Sequence, residues 1–245
     1  MSERIRLDLA LEQRKLLPSR ARARDAILRG TVTVNGVTAG KPHQMVGAAD
    51  KIALDDPASR YVSRAALKLI AGLDAGAIAA EGRICLDVGS STGGFTQVLL
   101  ERGAQKVYAV DVGHDQLHQR LRGSDRVVSL EGVNARDLDS IQIPDEIDLL
   151  VSDVSFVSVT KVLAAPLALC RPGADAVILI KPQFEVGREN IGKGGIVTDA
   201  GAIEKAIADV IGFMTAEGWE HRLSVPSPIS GGDGNTETVA VFRKG

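Results

Sequence analysis

The apolar residues at the start of the chain follow a helical period. Residues 5–16 carry leucine and isoleucine side chains at this spacing, and Pro18 then interrupts the pattern. Ser19 is a suitable N-cap for a second helix, because its side chain can accept a hydrogen bond from a backbone N–H of the first turn. Gly30 marks the end of that helix. The pattern therefore predicts two short helices before Gly30.

The next segment has the period of a β-strand. Apolar and polar residues alternate from 31 to 39, around an Asn35-Gly36 pair that is the strongest short signal for a hairpin. Residues 50–54 predict one more short strand, and the Asp-, Pro- and Ser-containing stretch after it is typical of a linker. These elements predict a small α+β domain over 1–56 and a linker over 57–62.

From residue 63 onwards helical and strand patterns alternate, which is typical of βαβ units around a mostly parallel, doubly wound sheet. The last two strands have only a short connection, so one of them must run antiparallel. The glycine-rich segment 185–198 is predicted to be a lid or substrate loop. Residues 63–245 are therefore expected to form one α/β domain. Its predicted elements are helix 63–80, strand 83–89, helix 94–102, strand 106–111, helix 115–121, strands 126–130 and 147–152, helix 157–170, strand 174–180, helix 200–217 and strands 219–225 and 237–243.

With 44% apolar residues and a mean hydropathy of +0.07, the chain can bury a sizeable core. Its apolar runs are shorter than the roughly 18 residues of a membrane span, and residues 1–15 lack the apolar stretch of a signal peptide. A cytoplasmic protein that does not act in a membrane is therefore expected. Cys85 and Cys170 lie in apolar segments without metal-ligand spacing, so we expect core residues and no metal site.

Charge is distributed unevenly along the chain. Residues 1–60 hold 11 of the 29 Lys and Arg against 7 of the 31 Asp and Glu, which leaves 18 against 24 in the remainder. A basic segment beside an acidic remainder suggests that the first part binds a polyanion. A solvated helix face is the simpler alternative on charge alone.

A glycine-rich turn follows the strand at 83–89. Its spacing, Gly-x-x-x-Gly-Gly with Asp87 two residues before the first glycine, differs from the dinucleotide Gly-x-Gly-x-x-Gly pattern. Glycine lets the backbone approach a ligand closely, and Asp87 suits the ammonium group of a methionine-derived cofactor better than a pyrophosphate. Asp111 ends the next strand, where an acid binds ribose hydroxyls in doubly wound folds. The residues expected to bind such a cofactor are Asp87, Gly89, Ser90, Ser91, Gly93, Gly94, Phe95, Asp111, Val112, Asn134, Ala135 and Asp153.

Four charged residues stand at strand ends or at positions that face the sheet: Lys68, Asp153, Lys181 and Glu237. Asp153 and Lys181 each follow an apolar strand, so both are expected at the carboxyl edge of the sheet, where open α/β folds bind ligands. A lysine after five apolar residues is partly desolvated, which favours the neutral amine that removes a hydroxyl proton. For each residue alone, a solvated strand or helix end is the simpler alternative.

Several segments resemble known families. Residues 6–36 resemble the S4-type (αL) RNA-binding domain, and SRAALKL, LDVGSSTGGFTQVLL, DVSF, KPQFE and NTETVAV resemble FtsJ-like RNA ribose methyltransferases. The order of these two domains and the motifs KPQFEVGR and GKGGIV are similar to those of the TlyA (haemolysin A) family. This similarity extends over essentially the whole chain. The resemblance implies a Rossmann-like methyltransferase fold, S-adenosylmethionine as cofactor, and 2′-O-methylation of a cytidine in ribosomal RNA.

The resemblance also implies roles for the four charged residues. It makes Lys68, Asp153, Lys181 and Glu237 a catalytic tetrad, in which Lys181 accepts the ribose proton or stabilises the alkoxide while Asp153 orients it. Lys68 and Glu237 would form a second pair that positions the ribose. Glu217 and Glu220 are nearby acids that compete for the place of Glu237 in the alignment.

Ribosomal RNA, within a ribosomal subunit or its precursor, is the partner that the resemblance implies. Phe156 and Phe184 follow the two catalytic strands and are expected either to stack on a base or to pack in the core. One segment departs from the family, since members carry a tryptophan-containing tetrapeptide in the linker and residues 59–62 here are Ser-Arg-Tyr-Val. The cations expected to bind RNA phosphates are Arg4, Arg6, Arg14, Lys15, Arg20, Arg22 and Arg24.

Three other classes of protein are compatible with parts of this pattern. A nicotinamide-dependent oxidoreductase shares the fold, but the glycine spacing disfavours it. A noncatalytic RNA-binding or ribosome-assembly factor would bind RNA without turnover, and the intact tetrad argues against it. A membrane-lytic protein, suggested by the haemolysin name, needs an inserting segment that the sequence lacks.

Overall fold

A computed structural model describes residues 4–232 and 234–245. This part of the chain forms two compact units, the first ending at Arg60 and the second running from Tyr61 to Gly245. A 3-10 turn, Pro57–Arg60, closes the first unit. Tyr61, the aromatic residue of the tetrapeptide 59–62, is buried in the apolar core of the second unit.

The first unit contains two helices and two small sheets. Ile5 and Arg6 pair antiparallel with Val46 and Met45, so the helix expected over 5–16 begins only at Leu7. It also ends early, since Lys15 adopts a left-handed backbone with a φ of 57°. The elements of this unit are β1 (Ile5–Arg6), α1 (Leu7–Gln13), α2 (Arg20–Leu28), β2 (Val32–Val34), β3 (Val37–Thr38), β4 (Met45–Val46) and β5 (Ile52–Leu54).

The turn signals in this unit act as the sequence predicts. The Ser19 side chain accepts a hydrogen bond from the backbone N–H of Arg22 and caps α2. Asn35 and Gly36 both have positive φ, 53° and 83°, as a two-residue hairpin turn between β2 and β3 requires. The core beneath includes the fully buried side chains of Leu7, Leu11, Ile27 and Val32.

The second unit is built on one seven-stranded sheet. Its strand order is β11-β12-β10-β9-β6-β7-β8, and β12 runs in the opposite direction to the other six strands, as expected for one of the last two strands. The main elements are α3 (Ala66–Ala75), β6 (Ile84–Val88), α4 (Gly94–Glu101), β7 (Lys106–Asp111), α5 (Gln119–Arg122), β8 (Val127–Glu131), β9 (Ile147–Ser152), α6 (Ala164–Ala168), β10 (Cys170–Ile180), α7 (Pro182–Glu185), α8 (Ala200–Ala216), β11 (Trp219–Pro226) and β12 (Thr238–Lys244).

Both faces of this sheet are buried. In β10, Ile178 and Ile180 belong to one apolar cluster, whereas Val177 and Leu179 belong to another. Successive side chains of a strand point to opposite faces, so the two clusters lie on opposite sides of the sheet. The expectation of a doubly wound α/β fold is therefore confirmed. Within the described residues, no helix is both long and apolar enough to cross a membrane.

Four predicted segments of the second unit differ from the structure. The helix expected over 63–80 is only ten residues long, Ala66–Ala75. The helix over 157–170 is wrong, because α6 is only five residues long and β10 already begins at Cys170, which pairs with Ile147 before the register shifts. The helix over 115–121 shrinks to α5, since the Glu131 carboxylate accepts the N–H groups of Gln116 and Leu117. The loop over 185–198 contains short 3-10 turns at Arg188–Asn190 and Lys193–Gly195.

Candidate active site

The carboxyl ends of β6 and β9 meet at the point where the strand order reverses, which is where open α/β sheets bind ligands. The turn after β6 begins at Gly89, whose φ is 84°. A Cβ atom there would lie 3.1 Å from the backbone of Asp153 and Val154, so only glycine fits. The N–H of Asp153 donates to the Val88 carbonyl at 3.1 Å, and this hydrogen bond joins the two strand ends.

A cavity of about 500 Å³ opens over these strand ends. Its wall is mainly apolar, and the two carboxylates in it belong to Asp111 and Asp153. The residues expected at a cofactor that line it are Gly89, Ser91, Asp111, Val112, Asn134, Ala135 and Asp153. Lining residues that the sequence pattern did not predict include Val110, Gln116, Val133 and Val162.

The other residues expected at a cofactor support the turn from below and do not line the cavity. Gly93 has a φ of 94° and caps α4, Gly94 packs against Ser63, and Phe95 lies in the core. Ser90 is 5% exposed. These positions shape the turn, and a ligand in the cavity would contact the residues above them.

Asp87 lies fully buried under the same turn. Its Oδ2 accepts the Thr96 hydroxyl at 2.6 Å, while its Oδ1 has no hydrogen-bond partner among the described residues. Burial, together with the negative charges of Asp153 and Asp111, raises the pKa of Asp87 to about 7, although the hydrogen bonds from Thr96 oppose the shift. Such a site favours a cationic ligand nearby, because a positive charge would stabilise the ionised carboxylate.

Asp111 holds the turn and the cavity wall together. Its carboxylate accepts the N–H of Ser91 at 2.8 Å and the N–H of Gly113 at 2.7 Å, one on each oxygen. Each carboxylate oxygen has a second lone pair. The group can therefore still accept hydroxyl hydrogen bonds from a ligand, as an acid at the end of the second strand does in doubly wound folds.

The four charged residues form two ion pairs. Lys181 Nζ lies 2.6 Å from Asp153 Oδ1, and Lys68 Nζ lies 2.5 Å from Glu237 Oε2. The side chains of Lys68 and Lys181 are each 7% exposed. Buried charges of this kind are energetically costly unless they are paired. The two ion pairs are therefore expected whether or not the residues take part in catalysis. Glu217 and Glu220, the competing acids, are exposed.

All four residues border a second cavity of about 420 Å³. This cavity shares Asp153, Ser155 and Phe156 with the first one. The side chains of Arg64, Gln183 and Phe184 also line it. No periodicity in the sequence distinguishes Arg64, Ser155 or Gln183 from solvated loop residues, so these three were not predicted. Two adjoining cavities with the two ion pairs in the second one can hold a donor and an acceptor side by side.

Phe156 stands at the mouth of both cavities. It is 91% exposed and has a left-handed backbone with a φ of 66°, so the alternative of core packing is excluded for this residue. Its ring lies 5.4 Å from that of Phe184. An exposed aromatic ring held on a strained backbone is suited to stacking on a planar ligand.

Most of the cations expected to bind RNA are exposed on the first unit, but several are already engaged. Arg6 and Arg20 both pair with the buried Asp8, and the hydrogen bond from Arg6 lowers the pKa of Asp8 to about 2. Two cations on one carboxylate leave a net positive charge. Arg4 and Arg14 donate to backbone carbonyls. Lys15 and Arg24 are exposed, and their side chains make no hydrogen bond or ion pair within the described part of the chain.

Arg22 differs from the other predicted cations. It is half-buried and donates to the carbonyl of Ala58 at 2.7 Å. Burial lowers its pKa. Its guanidinium therefore helps to hold the 3-10 turn at the end of the first unit, and Arg29 does the same through a bidentate contact with Asp56.

The doubly wound sheet, the glycine-rich turn and the paired charges define a methyltransferase-type site, and comparison with known families agrees. The family model of the FtsJ-like methyltransferases matches residues 61–244, and that of the S4 domain matches residues 5–52. The chain belongs to the FtsJ-like methyltransferase family and carries an S4 domain at its start.

Within this family the chain is similar to TlyA and hemolysin A. It is 44% identical over 245 residues to the 16S/23S rRNA (cytidine-2′-O)-methyltransferase TlyA of Mycobacterium tuberculosis, covering 99% of this chain and 91% of that protein. It is 42% identical to hemolysin A of Brachyspira hyodysenteriae, covering 97% and 99%. The resemblance stated from the sequence motifs is confirmed.

Solved structures agree with the fold. A Streptococcus thermophilus protein that carries the hemolysin name superposes with a TM-score of 0.77 at 37% identity, covering 100% of this chain and 90% of that one. An S-adenosylmethionine-dependent methyltransferase from Mesorhizobium loti superposes with a TM-score of 0.54 at 15% identity, covering 73% of this chain and 98% of that one. The second likeness shows the fold alone.

Proposed function

We propose that the protein transfers a methyl group from S-adenosylmethionine to the ribose 2′-oxygen of a cytidine in ribosomal RNA. The names of the TlyA relatives support this substrate. The observation that carries the chemistry is the Lys181–Asp153 ion pair, in which Asp153 belongs to the walls of both cavities. We assign the first cavity to the cofactor and the second to the target nucleotide.

The residues around the first cavity fit a cationic methyl donor. When bound, S-adenosylmethionine supplies an electrophilic methyl group on a positively charged sulfonium. Asp111 would hold its ribose hydroxyls, and Asn134 and Ala135 would lie near its adenine edge. Asp87 and Asp153 supply the negative charge that a sulfonium and an ammonium require. The same acids disfavour a pyrophosphate, which argues against the oxidoreductase alternative.

The reaction needs a 2′-oxygen that attacks in line while its proton leaves. The C–O bond forms as the S–C bond breaks, and we assign the departing proton to Lys181 Nζ if the amine is neutral. If Lys181 is already protonated, it stabilises the developing alkoxide instead, and the hydroxyl proton passes to solvent water. Asp153 orients Nζ in both cases, and the Lys68–Glu237 pair holds the ribose. Positioning of the two reactants supplies most of the acceleration.

We assign docking of the RNA to the first unit. Its exposed cations can contact phosphates, which fix the register of the RNA but do not choose the nucleotide. We assign the choice of nucleotide to the second cavity, where Phe156 would stack on the target base. A ribosomal subunit or its precursor is the proposed form of the substrate.

Lys181→Ala tests the assignment. Transfer of tritiated methyl from S-adenosylmethionine to separate ribosomal subunits should fall by roughly 10²- to 10⁴-fold, because the proton acceptor is lost. The dissociation constant for S-adenosylmethionine, measured by calorimetry, should stay within about threefold, because Lys181 does not line the first cavity. Mapping of the labelled ribose then identifies the nucleotide.

Lys205→Ala is the matched control. Lys205 is an exposed lysine of α8 that pairs with Asp209 on its own helix, so this variant should transfer methyl groups at the wild-type rate. Full activity in Lys181→Ala would contradict the catalytic assignment. A wild-type protein that binds rRNA but transfers no methyl group to either subunit would favour the noncatalytic assembly factor.

A further inference from the structure

Ser155 occupies a position that the four charged residues do not explain. Lys181 Nζ donates a hydrogen bond to Ser155 Oγ at 2.7 Å. Ser155 is exposed and, with Asp153 and Phe156, borders both cavities. Its hydroxyl therefore lies at the junction between the proposed methyl donor and the proposed acceptor.

The contacts of Lys181 show what this hydrogen bond does. A lysine ammonium has three N–H donors in a tetrahedral arrangement. Asp153 Oδ1 lies 2.6 Å from Nζ and Ser155 Oγ lies 2.7 Å from it, whereas the Asp153 carbonyl is a long contact at 3.5 Å. The ion pair with Asp153 and the hydrogen bond to Ser155 hold Nζ from two sides, at the border of the second cavity, which Lys181 lines.

The turn that carries Ser155 is held in place by its neighbours. Gly89 packs directly under the Asp153 carbonyl and the Cα of Val154, and the left-handed backbone of Phe156 ends the turn. The other catalytic lysine lacks an equivalent partner, because the described chain pairs Lys68 with Glu237 and shows no hydroxyl hydrogen-bonded to it. Within the described residues, the hydroxyl contact therefore distinguishes Lys181 from Lys68.

We propose that Ser155 is a positioning residue that, together with Asp153, aims Lys181 Nζ at the acceptor oxygen. This proposal rests on the proposed function and deepens it. Without Ser155, Nζ keeps its ion pair but can rotate about Asp153, and a displacement of about 1 Å costs as much as 10²-fold in rate. The effect falls on the chemical step and spares the binding of either substrate.

Ser155→Ala tests the proposal in single-turnover methyl transfer to the ribosomal subunit that the wild-type enzyme modifies. The rate should fall by about 10- to 100-fold, with the KM for RNA and the dissociation constant for S-adenosylmethionine within about threefold of wild type. Ser155→Thr keeps the hydroxyl and should restore most of the rate. The matched control is Ser158→Ala, which deletes a hydroxyl of the same segment that donates to Glu185 instead of contacting Lys181. It should lose stability and keep the rate.

A double-mutant cycle with Lys181→Ala decides whether Ser155 acts through the lysine. If it does, adding Ser155→Ala to Lys181→Ala changes the residual rate by less than about twofold. An equal loss in both backgrounds, a wild-type rate in Ser155→Ala, or no rescue by threonine would overturn the proposal. Because wild type and Lys181→Ala are measured in the same series, failure of the proposed function is recognised separately, by the absence of transfer in wild type.

Discussion

The buried carboxyl of Asp87 makes the stability of the protein depend on pH in a way that one substitution removes. Asp87→Asn preserves the shape of the side chain and an oxygen that accepts the Thr96 hydroxyl. It cannot ionise, so it lacks the energetic cost of a carboxylate that is fully buried and has one oxygen without a partner in the described structure. The effect is measured on the protein without cofactor.

The sign follows from the two pKa values. In the unfolded chain the carboxyl ionises near pH 3.9, whereas burial raises the pKa of Asp87 to about 7 in the folded protein. The folded state therefore holds the proton more tightly. The contribution of this proton to stability is fully present below about pH 4 and is lost as the pH rises through about 7. The slope between these limits is roughly 1.4 kcal/mol per pH unit. From about pH 5 to about pH 7, wild type should lose roughly 2 kcal/mol relative to the variant, because the folded carboxyl is already half ionised at about pH 7.

Urea unfolding of both proteins at a series of pH values between 5 and 8 measures this difference directly. The other titrating groups are common to the two proteins and cancel in the comparison. The new amide N–H of the variant is buried without a partner and costs about 1–3 kcal/mol, but this offset is independent of pH. Stability curves that run parallel from pH 5 to pH 8 would refute the reasoning, since they would mean that Asp87 titrates alike in both states.

Two further predictions concern the RNA-binding surface and the glycine turn. Lys15→Gln combined with Arg24→Gln should weaken RNA binding. The slope of log affinity against log salt should become less steep by about 0.7–0.9 for each phosphate that is no longer neutralised. The control is Arg222→Gln, which changes an exposed arginine of β11, and an unchanged slope in the double variant would exclude Lys15 and Arg24 from the RNA interface. Gly93→Ala should destabilise the second unit by about 3 kcal/mol in chemical denaturation, because a Cβ there would lie 2.3 Å from Leu121 at a φ of 94°. Gly82→Ala, with positive φ and open space, isolates the backbone strain at about 1 kcal/mol, and equal losses in the two glycine variants would show that the clash with Leu121 is relieved.

Local signals explain which parts of the fold could be predicted from the sequence. Ser19 and the Asn35-Gly36 pair act through their own backbone, so their effect does not depend on distant residues. The segment 157–170 depends on such residues, because Cys170 joins the sheet through its pairing with Ile147. One long helix and a short helix followed by a strand can contain the same apolar residues. Periodicity alone therefore does not distinguish these two structures.

The candidate site divides in a similar way. The sequence predicts that Lys181 and Asp153 lie at the same edge of the sheet, because each follows an apolar strand. Their contact at 2.6 Å is seen only in the structure. It also predicts Asp87 near the cofactor, but the alternation of side chains along β6 and the turn above it leave the carboxyl beneath the cavity wall. Ser155 follows no strand pattern, and its role depends on a turn whose shape is set by Gly89 from another strand.

The wall between the two cavities consists of side chains from a single turn, Asp153, Ser155 and Phe156. An inhibitor built as a bisubstrate would therefore need only a short bridge, of about the length of the methyl group in transfer, between an adenosyl part and a nucleoside part. Each half alone would gain affinity from one cavity, and the joined compound would gain from both without a second loss of translational freedom. Substitutions in this turn that weaken such a compound would also disturb the residues that we propose to align Lys181.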